Sequence, residues 1–305
     1  MLKKTVLTVL IFIMTAVFFR ELAAASSGSS GAEFLKIPAG TRPAAMGNAY
    51  SALSDDVSGA LWNPAGISGI TKKEISALHT IWLGDISGDF LGAALPLENY
   101  TFALTALLFK GEDEYRGASP GSPLSGSFSI SDRVYALSAA RKQNERYSAG
   151  LSVKVISRSI EKYSALAAAV DIGAIVKVNS DLSAAAAIQN LGTRIRLRNE
   201  AEPLPLTLRA GLLLKGLNGK MLFAFDAVYA SGSPMSLNMG GEYKVLPLIA
   251  VRAGYIFKTG KDNPLSLTGI TAGFGLSLKG MSLDYSYIPY NRLGDSHQFS
   301  LSYKF

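Results

Sequence analysis

The last residues of the chain, 297–305, read HQFSLSYKF and alternate between two kinds of side chain. Phe299, Leu301, Tyr303 and Phe305 share one face, and the side chains between them are polar or charged. A period of two residues is that of a β-strand. A strand with one apolar, aromatic face and one polar face suits a membrane-spanning barrel, where the apolar face meets lipid.

The same alternation recurs along the chain in enough segments to predict a barrel. We count about fourteen segments, which start near residues 72, 87, 99, 131, 146, 164, 181, 204, 219, 235, 247, 266, 281 and 297. Short connections alternate with longer ones, and the longer ones are predicted at 111–130, 157–163, 192–203, 230–234, 259–265 and 291–296. Outer-membrane barrels typically have short turns at one end of the barrel and longer loops at the other. The sequence therefore predicts an all-β transmembrane fold, an antiparallel outer-membrane β-barrel of about 14 strands.

The composition excludes several classes of site. The 305 residues include no cysteine and only two histidines, His79 and His297. Thiol nucleophiles, disulfides and Cys-type or multi-His metal centres are therefore excluded, and we expect no cofactor. The formal net charge is +7, but basic and acidic residues are interleaved, so we do not expect nucleic-acid binding.

An enzyme is the weakest of the alternatives. A hydrolase resembling outer-membrane phospholipase needs a serine and a histidine together on the lipid-facing side. His297 lies beside Ser296 at a loop edge without a matching acid, and His79 lies in the poorly patterned first segment. The sequence therefore predicts that the protein is not an enzyme.

The amino terminus has the features of a cleaved export signal. Lys3 and Lys4 precede an apolar run at 5–19, and Ala23-Ala24-Ala25 follows as a cleavage site. The predicted division is a signal peptide at 1–25, a flexible linker and N-terminal hatch at 26–70 and a transmembrane barrel at 71–305. We expect the protein to lie in the bacterial outer membrane, in contact with its lipid. We expect the strand that ends at Phe305 to be recognised by the barrel assembly machinery.

Charged residues of the barrel fall on the polar face. The set comprises Lys154, Asp171, Arg209, Asp226, Glu242, Arg252 and Asp284. A charge facing lipid near the midplane costs up to about 2–4 kcal/mol, so these residues are predicted to line the lumen as a charge network. Across the turn at 246–247, Glu242 should face Arg252, and Asp226 should lie one diagonal step from Arg209.

Aromatic residues are predicted to form two girdles at the membrane interfaces. The girdle near the short turns contains Tyr100, Tyr147, Tyr243 and Phe305, and the opposite girdle contains Trp82, Phe109, Tyr229 and Phe257.

Residues 32–70 do not alternate like strands. Ser54 is a plausible N-cap, and Asp55 and Asp56 would then lie in the first turn of a short helix that runs to Leu61 or Trp62. Pro64 disfavours a helical conformation at the residue before it and should end this helix. Five glycines between positions 40 and 69 predict close packing inside another structure. Helix capping explains the paired aspartates better than metal binding.

This region resembles a known family. The elements are Gly47-Asn48-Ala49-Tyr50, Asp55-Asp56 and Asn63-Pro64-Ala65-Gly66. They resemble the N-terminal hatch of the long-chain fatty-acid transporter (FadL) superfamily. Residues 33–42, 189–193 with 203–209, and 282–305 are most similar to the PorV/PorQ family within it.

The resemblance implies a fourteen-stranded barrel whose lumen is plugged by residues 32–70 as a hatch. Its PorV/PorQ side implies transport or secretion across the outer membrane, with type IX secretion-like components or cargo as partners. Its FadL side implies the alternative, an uptake channel for long-chain fatty acids or other hydrophobic small molecules that the hatch gates.

Overall fold

The computed structural model describes residues 30–84, 86–115, 126–198, 200–259, 269–290 and 294–305. The predicted signal peptide and the first residues of the predicted linker lie outside this part of the chain. Parts of the predicted loops at 111–130, 259–265 and 291–296 also lie outside it.

Fourteen strands of the described residues form one closed antiparallel barrel, as the alternation predicts. They are β1 (Glu74–Ile81), β2 (Ser87–Pro96), β3 (Tyr100–Glu114), β4 (Ser127–Lys142), β5 (Tyr147–Ile160), β6 (Tyr163–Lys177), β7 (Leu182–Gly192), β10 (Thr207–Gly216), β11 (Met221–Ala230), β12 (Ser236–Leu246), β13 (Ile249–Lys258), β14 (Ile270–Leu278), β15 (Met281–Pro289) and β16 (Asp295–Lys304). Neighbours in sequence are neighbours in the wall, and β1 pairs with β16 to close it. The remaining strands, β8 (Ile195–Leu197) and β9 (Glu200–Glu202), form a hairpin of their own between β7 and β10.

The connections differ from the predicted ones at one end of the barrel. We call this end, which holds the β8–β9 hairpin, the long-loop end, and the opposite end the short-turn end. The predicted loop at 157–163 is a two-residue turn, because the β5–β6 ladder continues to the pair Ile160–Tyr163. The predicted loop at 111–130 is also shortened, since β3 and β4 remain paired as far as Glu114 and Ser127.

The outward face of the wall is apolar and carries one predicted girdle. Tyr100, Tyr147, Tyr243 and Phe305 are 39–56% exposed near the short-turn end, where water and lipid meet. The predicted opposite girdle is partly wrong, because Phe109 falls on the inward parity of β3 and is buried in the lumen, and Tyr229 of β11 is buried as well.

The inward face has two regions of different character, although buried polar groups such as Glu74, Thr105 and Asp132 also lie on the strands of the first region. An apolar wall on β1–β6 consists of residues in one buried cluster, which include Leu78, Phe90, Ala94, Ala103, Leu107, Phe109, Val134, Ile156, Ala165, Ala167 and Ala169. A charged wall extends over β5–β15 and carries the seven charged residues of the predicted network. The lumen of a membrane barrel is usually polar, so the apolar wall is the unusual half.

Residues 30–70, here called the N-terminal segment, lie inside the barrel against both walls. The segment contains 3₁₀ helices at Glu33–Lys36, Val57–Leu61 and Pro64–Gly69 and a short α-helix, α1, at Thr41–Ala45. The cap of the second 3₁₀ helix differs from the prediction, since Asp56 rather than Ser54 accepts the Gly59 N–H. Nowhere in the described ranges is a helix both long and apolar enough to cross a bilayer.

Candidate functional site at the inner wall

Glycines of the inner wall make room for the backbone of the N-terminal segment. A Cβ atom on Gly150 would meet Pro64, and one on Gly173 would meet Asn63. On the opposite side, Cβ atoms on Gly240 and Gly254 would meet the backbone at 46–47. Side chains at these positions would push the segment off the wall, so part of the glycine content serves this contact.

The first element of the predicted hatch, Gly47-Asn48-Ala49-Tyr50, fastens the segment to the charged wall. Gly47 has φ +63° and donates its N–H to Thr271 Oγ1 at 2.9 Å. The backbone N–H groups of Tyr50 and Ser51 donate to Asp226 Oδ2 at 3.1 and 3.0 Å. Ala49 and Tyr50 are fully buried, so this element is packed as part of the barrel interior.

The two aspartates of the second element have separate roles. Asp55 Oδ1 accepts from Arg42 Nη1 at 2.6 Å, and Arg42 Nε also donates to Glu242 Oε2 of β12 at 2.7 Å. Asp56 caps its 3₁₀ helix and accepts the Tyr50 hydroxyl at 2.6 Å. Burial, together with the charge of Asp56, raises the pKa of Tyr50 well above its usual range. Tyr50 therefore stays a neutral donor at physiological pH.

The third element, Asn63-Pro64-Ala65-Gly66, begins the last 3₁₀ helix of the segment. Asn63 is extended, as expected for a residue before proline, and its side-chain oxygen accepts the Ala65 N–H at 3.1 Å. Its amide nitrogen donates to Ser51 O at 2.9 Å. A Cβ atom on Gly66 would meet Ser54, so the fold requires a small residue there.

The predicted lumen charges form ion pairs along the charged wall, with one exception. Glu242 and Arg252 are direct cross-strand partners and form an ion pair at 2.7 Å. Arg252 also contacts Asp284 at 2.5 Å, and Lys154 contacts Asp171 at 2.7 Å.

Arg209 and Asp226 are the exception, although they lie on the predicted diagonal. Arg209 donates to Gln189 at 2.7 Å and lies over the Trp62 ring at 4.6 Å. Asp226 instead accepts the N–H groups of residues 50 and 51. The register that places Arg209 and Asp226 on a diagonal could be predicted from the sequence. It could not be predicted that the N–H groups of residues 50 and 51 would bind Asp226 in place of Arg209.

Sequence reasoning missed the neutral polar residues that hold the segment. Gln189 donates to Leu61 O at 2.6 Å, and Gln298 donates to Pro38 O at 3.2 Å. Asn190 does not contact the segment: it accepts from Lys154 at 2.5 Å and donates to Pro205 O at 3.0 Å. Gln189 and Gln298 fall on the inward parity of their strands, but the predicted network counted charges alone.

Residues 30–40, here called the strap, are held differently from the rest of the segment. The strap covers the apolar wall with Phe34 and Ala39, and its Phe34 ring packs edge-on against Phe109 at 6.2 Å between centroids. Polar contacts hold its two ends: Gly31 N–H donates to Pro203 O at 2.9 Å, and Trp62 Nε1 donates to Ala39 O at 2.6 Å. No ion pair of the described residues joins the strap to the wall, in contrast to Arg42 in α1.

A polar cavity of about 270 Å³ lies between the segment and the wall towards the short-turn end. Its lining includes Arg42, Asp56, Lys244 and Lys304 and a row of inward serines. At its inner limit it reaches Gly40, Leu78 and Phe90, and the last two belong to the apolar cluster that the strap covers. The cavity therefore adjoins the apolar wall where the strap ends at Gly40.

The described side chains do not assemble a metal site. Among residues 30–305, outside the gaps given above, no three His, Asp or Glu side chains converge as metal ligands would.

Solved structures of three proteins share this fold. The Ralstonia pickettii toluene transporter TbuX is 14% identical, with a TM-score of 0.66 over 88% of this chain and 98% of its own. The Pseudomonas putida toluene transporter TodX is 13% identical, with a TM-score of 0.68 over 88% of this chain and 98% of its own. A Pseudomonas aeruginosa FadL homologue is 15% identical, with a TM-score of 0.60 over 88% and 99%.

At these identities the likeness establishes the fold, which is that of FadL/TodX-type barrels. No curated protein matches the sequence. The family model described as "Uncharacterised protein family (UPF0164)" matches residues 21–188, which is more than half of the chain. The chain belongs to the UPF0164 family.

Proposed function

We propose that this protein is an outer-membrane channel for hydrophobic small molecules, with the strap as its gate. The observation that carries the proposal is the apolar inner wall on β1–β6. A water-filled pore needs a polar lining, whereas an apolar surface inside the barrel offers a hydrophobic solute a path that avoids water. The shared fold with the toluene transporters TbuX and TodX supports the same class of solute.

The contacts of the N-terminal segment suggest which part of the hatch moves. Residues 41–70 are wedged on the inward glycines and tied to the charged wall through Arg42 and Asp226. The strap is joined to the barrel by hydrogen bonds at Lys36 and Pro38, and no ion pair of the described residues ties it to the wall. Its displacement would connect the long-loop end with the cavity at the short-turn end, while the rest of the hatch stays in place.

A secretion role stays a prediction of the likeness to PorV/PorQ. If the protein had a secretion role, its purification from the native host should recover a large translocon or a secreted cargo in a fixed ratio to the barrel. The apolar wall buried inside the barrel fits passage of a small solute better than docking of a protein outside it. For that reason, the channel is the function we propose.

Uptake by intact cells tests the channel. A Gram-negative host that lacks its own FadL-type proteins would express the wild-type chain, with an empty vector as control. We expect severalfold faster accumulation of radiolabelled toluene or of a long-chain fatty acid. We expect no change for a hydrophilic solute of similar size, because the charged wall is sealed by ion pairs and by the segment.

Two results would contradict the proposal. One is equal accumulation of both apolar compounds with and without the protein, at matched amounts of assembled barrel. The other is faster entry of the hydrophilic solute, which would indicate a water-filled pore.

A further inference from the structure

The outward face of β3–β5 changes from apolar to basic near the long-loop end. Tyr135 of β4 and Val155 of β5 are cross-strand partners on this face and are 48% and 49% exposed. Arg133 is the next outward residue of β4 towards the long-loop end. One pairing further out, Lys110 of β3 lies opposite Ser131 of β4. Two basic side chains therefore lie directly beyond an apolar surface.

The position of the two basic residues along their strands matches the edge of the hydrocarbon layer. A tilted strand crosses that layer with about 9–11 residues. Along β3, Lys110 lies ten positions from Tyr100, which belongs to the girdle at the short-turn end. Along β4, Arg133 lies eight positions from Arg141, the cross-strand partner of Tyr100. Both basic groups thus lie at the level of the lipid headgroups.

Lys110 and Arg133 have no acidic partner within the part of the chain that the structure describes. Neither side chain forms an ion pair or a hydrogen bond with another described residue. Two acids share the outward face nearby. Asp89 of β2 is bonded to His79 at 2.8 Å, and Glu112 of β3 lies further from the apolar surface than Lys110 does. The two positive charges are therefore available to an anion from outside the chain.

Serine hydroxyls lie next to the two basic residues in the strand register. Ser157 of β5 is the partner of Arg133, and Ser159 is the partner of Ser131. The Ser131 hydroxyl is buried and has no hydrogen-bond partner among the described residues. A hydroxyl group can donate as well as accept, so each serine can add a hydrogen bond to a ligand oxygen.

We propose that five residues, here called the basic edge, bind the phosphate group of a membrane lipid in the leaflet at the long-loop end. They are Lys110, Ser131, Arg133, Ser157 and Ser159. Phosphate oxygens accept strong hydrogen bonds from guanidinium and ammonium groups. Basic clusters at a membrane surface attract anionic headgroups. The acyl chains of the same lipid would lie along Tyr135 and Val155, which a free phosphate ion could not use.

The strands β12 and β13 differ at the same end of the barrel. Leu237 and Phe257 are outward cross-strand partners there, followed by the pair Met239 and Tyr255. Leu237 and Met239 are each 44% exposed. These two pairings offer a lipid apolar and aromatic contacts without a basic group. Phosphate binding is therefore a property of the β3–β5 face, and it does not depend on the proposed channel function.

Native mass spectrometry of the purified barrel in detergent tests the basic edge. The probes are dioleoylphosphatidic acid and monogalactosyl dioleoylglycerol, which has the same acyl chains and no phosphate. We expect the wild type to prefer the phosphate lipid about tenfold or more. The double variant Lys110→Gln/Arg133→Gln should raise the dissociation constant for that lipid about tenfold or more, because both cations that attract the headgroup are lost.

Arg141→Gln is the matched control. It removes an outward cation of the same strand at the opposite end, where the Arg141 guanidinium lies over the Tyr100 ring at 5.4 Å. We expect its dissociation constant for the phosphate lipid to stay within about twofold of the wild type, because exposed single charges contribute little. The change in gel mobility on heating verifies that each variant has formed its barrel.

Four results would overturn the proposal. The wild type could bind both lipids equally, or the double variant could bind the phosphate lipid like the wild type. Arg141→Gln could lose as much affinity as the double variant, which would indicate attraction by net charge alone. Inorganic phosphate could displace the phosphate lipid at equal concentration, which would indicate a site for a free anion and not for a lipid.

Discussion

Two neighbouring glycines on β12 test whether the N-terminal segment depends on close approach to the wall, because only one of them faces it. A Cβ atom on Gly240 would meet the Met46 backbone, whereas one on Gly241 would have its nearest neighbour at 3.9 Å. We expect Gly240→Ala to destabilise the attachment of the segment by about 1–3 kcal/mol, the usual cost of overpacking, and Gly241→Ala to have little effect.

Hydrogen exchange at the backbone N–H groups of Tyr50 and Ser51 measures this attachment, since both donate to Asp226. Faster exchange in Gly240→Ala alone is the expected result. Equal exchange in the two variants would mean that the segment does not depend on close approach to the wall.

Arg42 is the residue whose loss should cost the segment most. It is paired with Asp55 and Glu242, and Glu242 is buried. Removing one partner of a buried ion pair typically costs 3–5 kcal/mol. Because Glu242 keeps Arg252 as a second partner, we expect Arg42→Ala to cost about 3 kcal/mol at the low end of that range, measured by the same amide exchange.

Lys142→Ala removes an ion pair on an exposed turn, with Glu145, and serves as the control. We expect no measurable change in the exchange of residues 50 and 51, because exposed pairs contribute little. If Arg42→Ala behaved like Lys142→Ala, the Arg42 pairs would not hold the segment.

Among the elements, the strands could be read from the sequence and the loops only in part. The period-two pattern of β16 and its partners is local, so their parity and register follow from neighbouring residues. The turn at residues 161–162 could not be predicted, because β5 and β6 continue their ladder through polar residues such as Ser157 and Ser159 that resemble a loop. Pairing with a neighbouring strand, rather than residue type, decides such positions.

The orientation of the barrel is testable at its turns. The absence of cysteine allows single labelling sites at Glu161 on the long-loop end and Asn144 on the short-turn end. With the long-loop end facing outward, a membrane-impermeant maleimide added to whole cells should label Glu161→Cys and spare Asn144→Cys. Lysed cells provide the control in which both react, and the reverse pattern in whole cells would contradict the orientation.

For the molecule as a whole, the motif of the N-terminal segment could be recognised, but the different contacts of residues 30–40 and 41–70 could not be predicted. The sequence shows the glycines, the paired aspartates and Pro64 of the predicted hatch. It cannot show that residue 47 meets Thr271, or that Arg42 meets Glu242, because these contacts join residues about 200 positions apart. Phe109 is the clearest miss: an aromatic residue assigned to a lipid girdle packs against the strap inside the lumen.

The central claim is that apolar solutes cross this barrel only when the strap leaves the apolar wall. Lys36 of the strap reaches Ser233 of the β11–β12 connection, with Nζ and Oγ 2.9 Å apart. The pair Lys36→Cys and Ser233→Cys can therefore be joined by a short, reducible dithiol crosslinker, and the two single variants serve as controls.

The decisive measurement is toluene uptake by cells that carry the crosslinked pair, before and after reduction. We expect uptake at the empty-vector level while the strap is tethered, and recovery to the level of the single variants on reduction. Unchanged uptake with the strap tethered would contradict the claim that the strap is the gate.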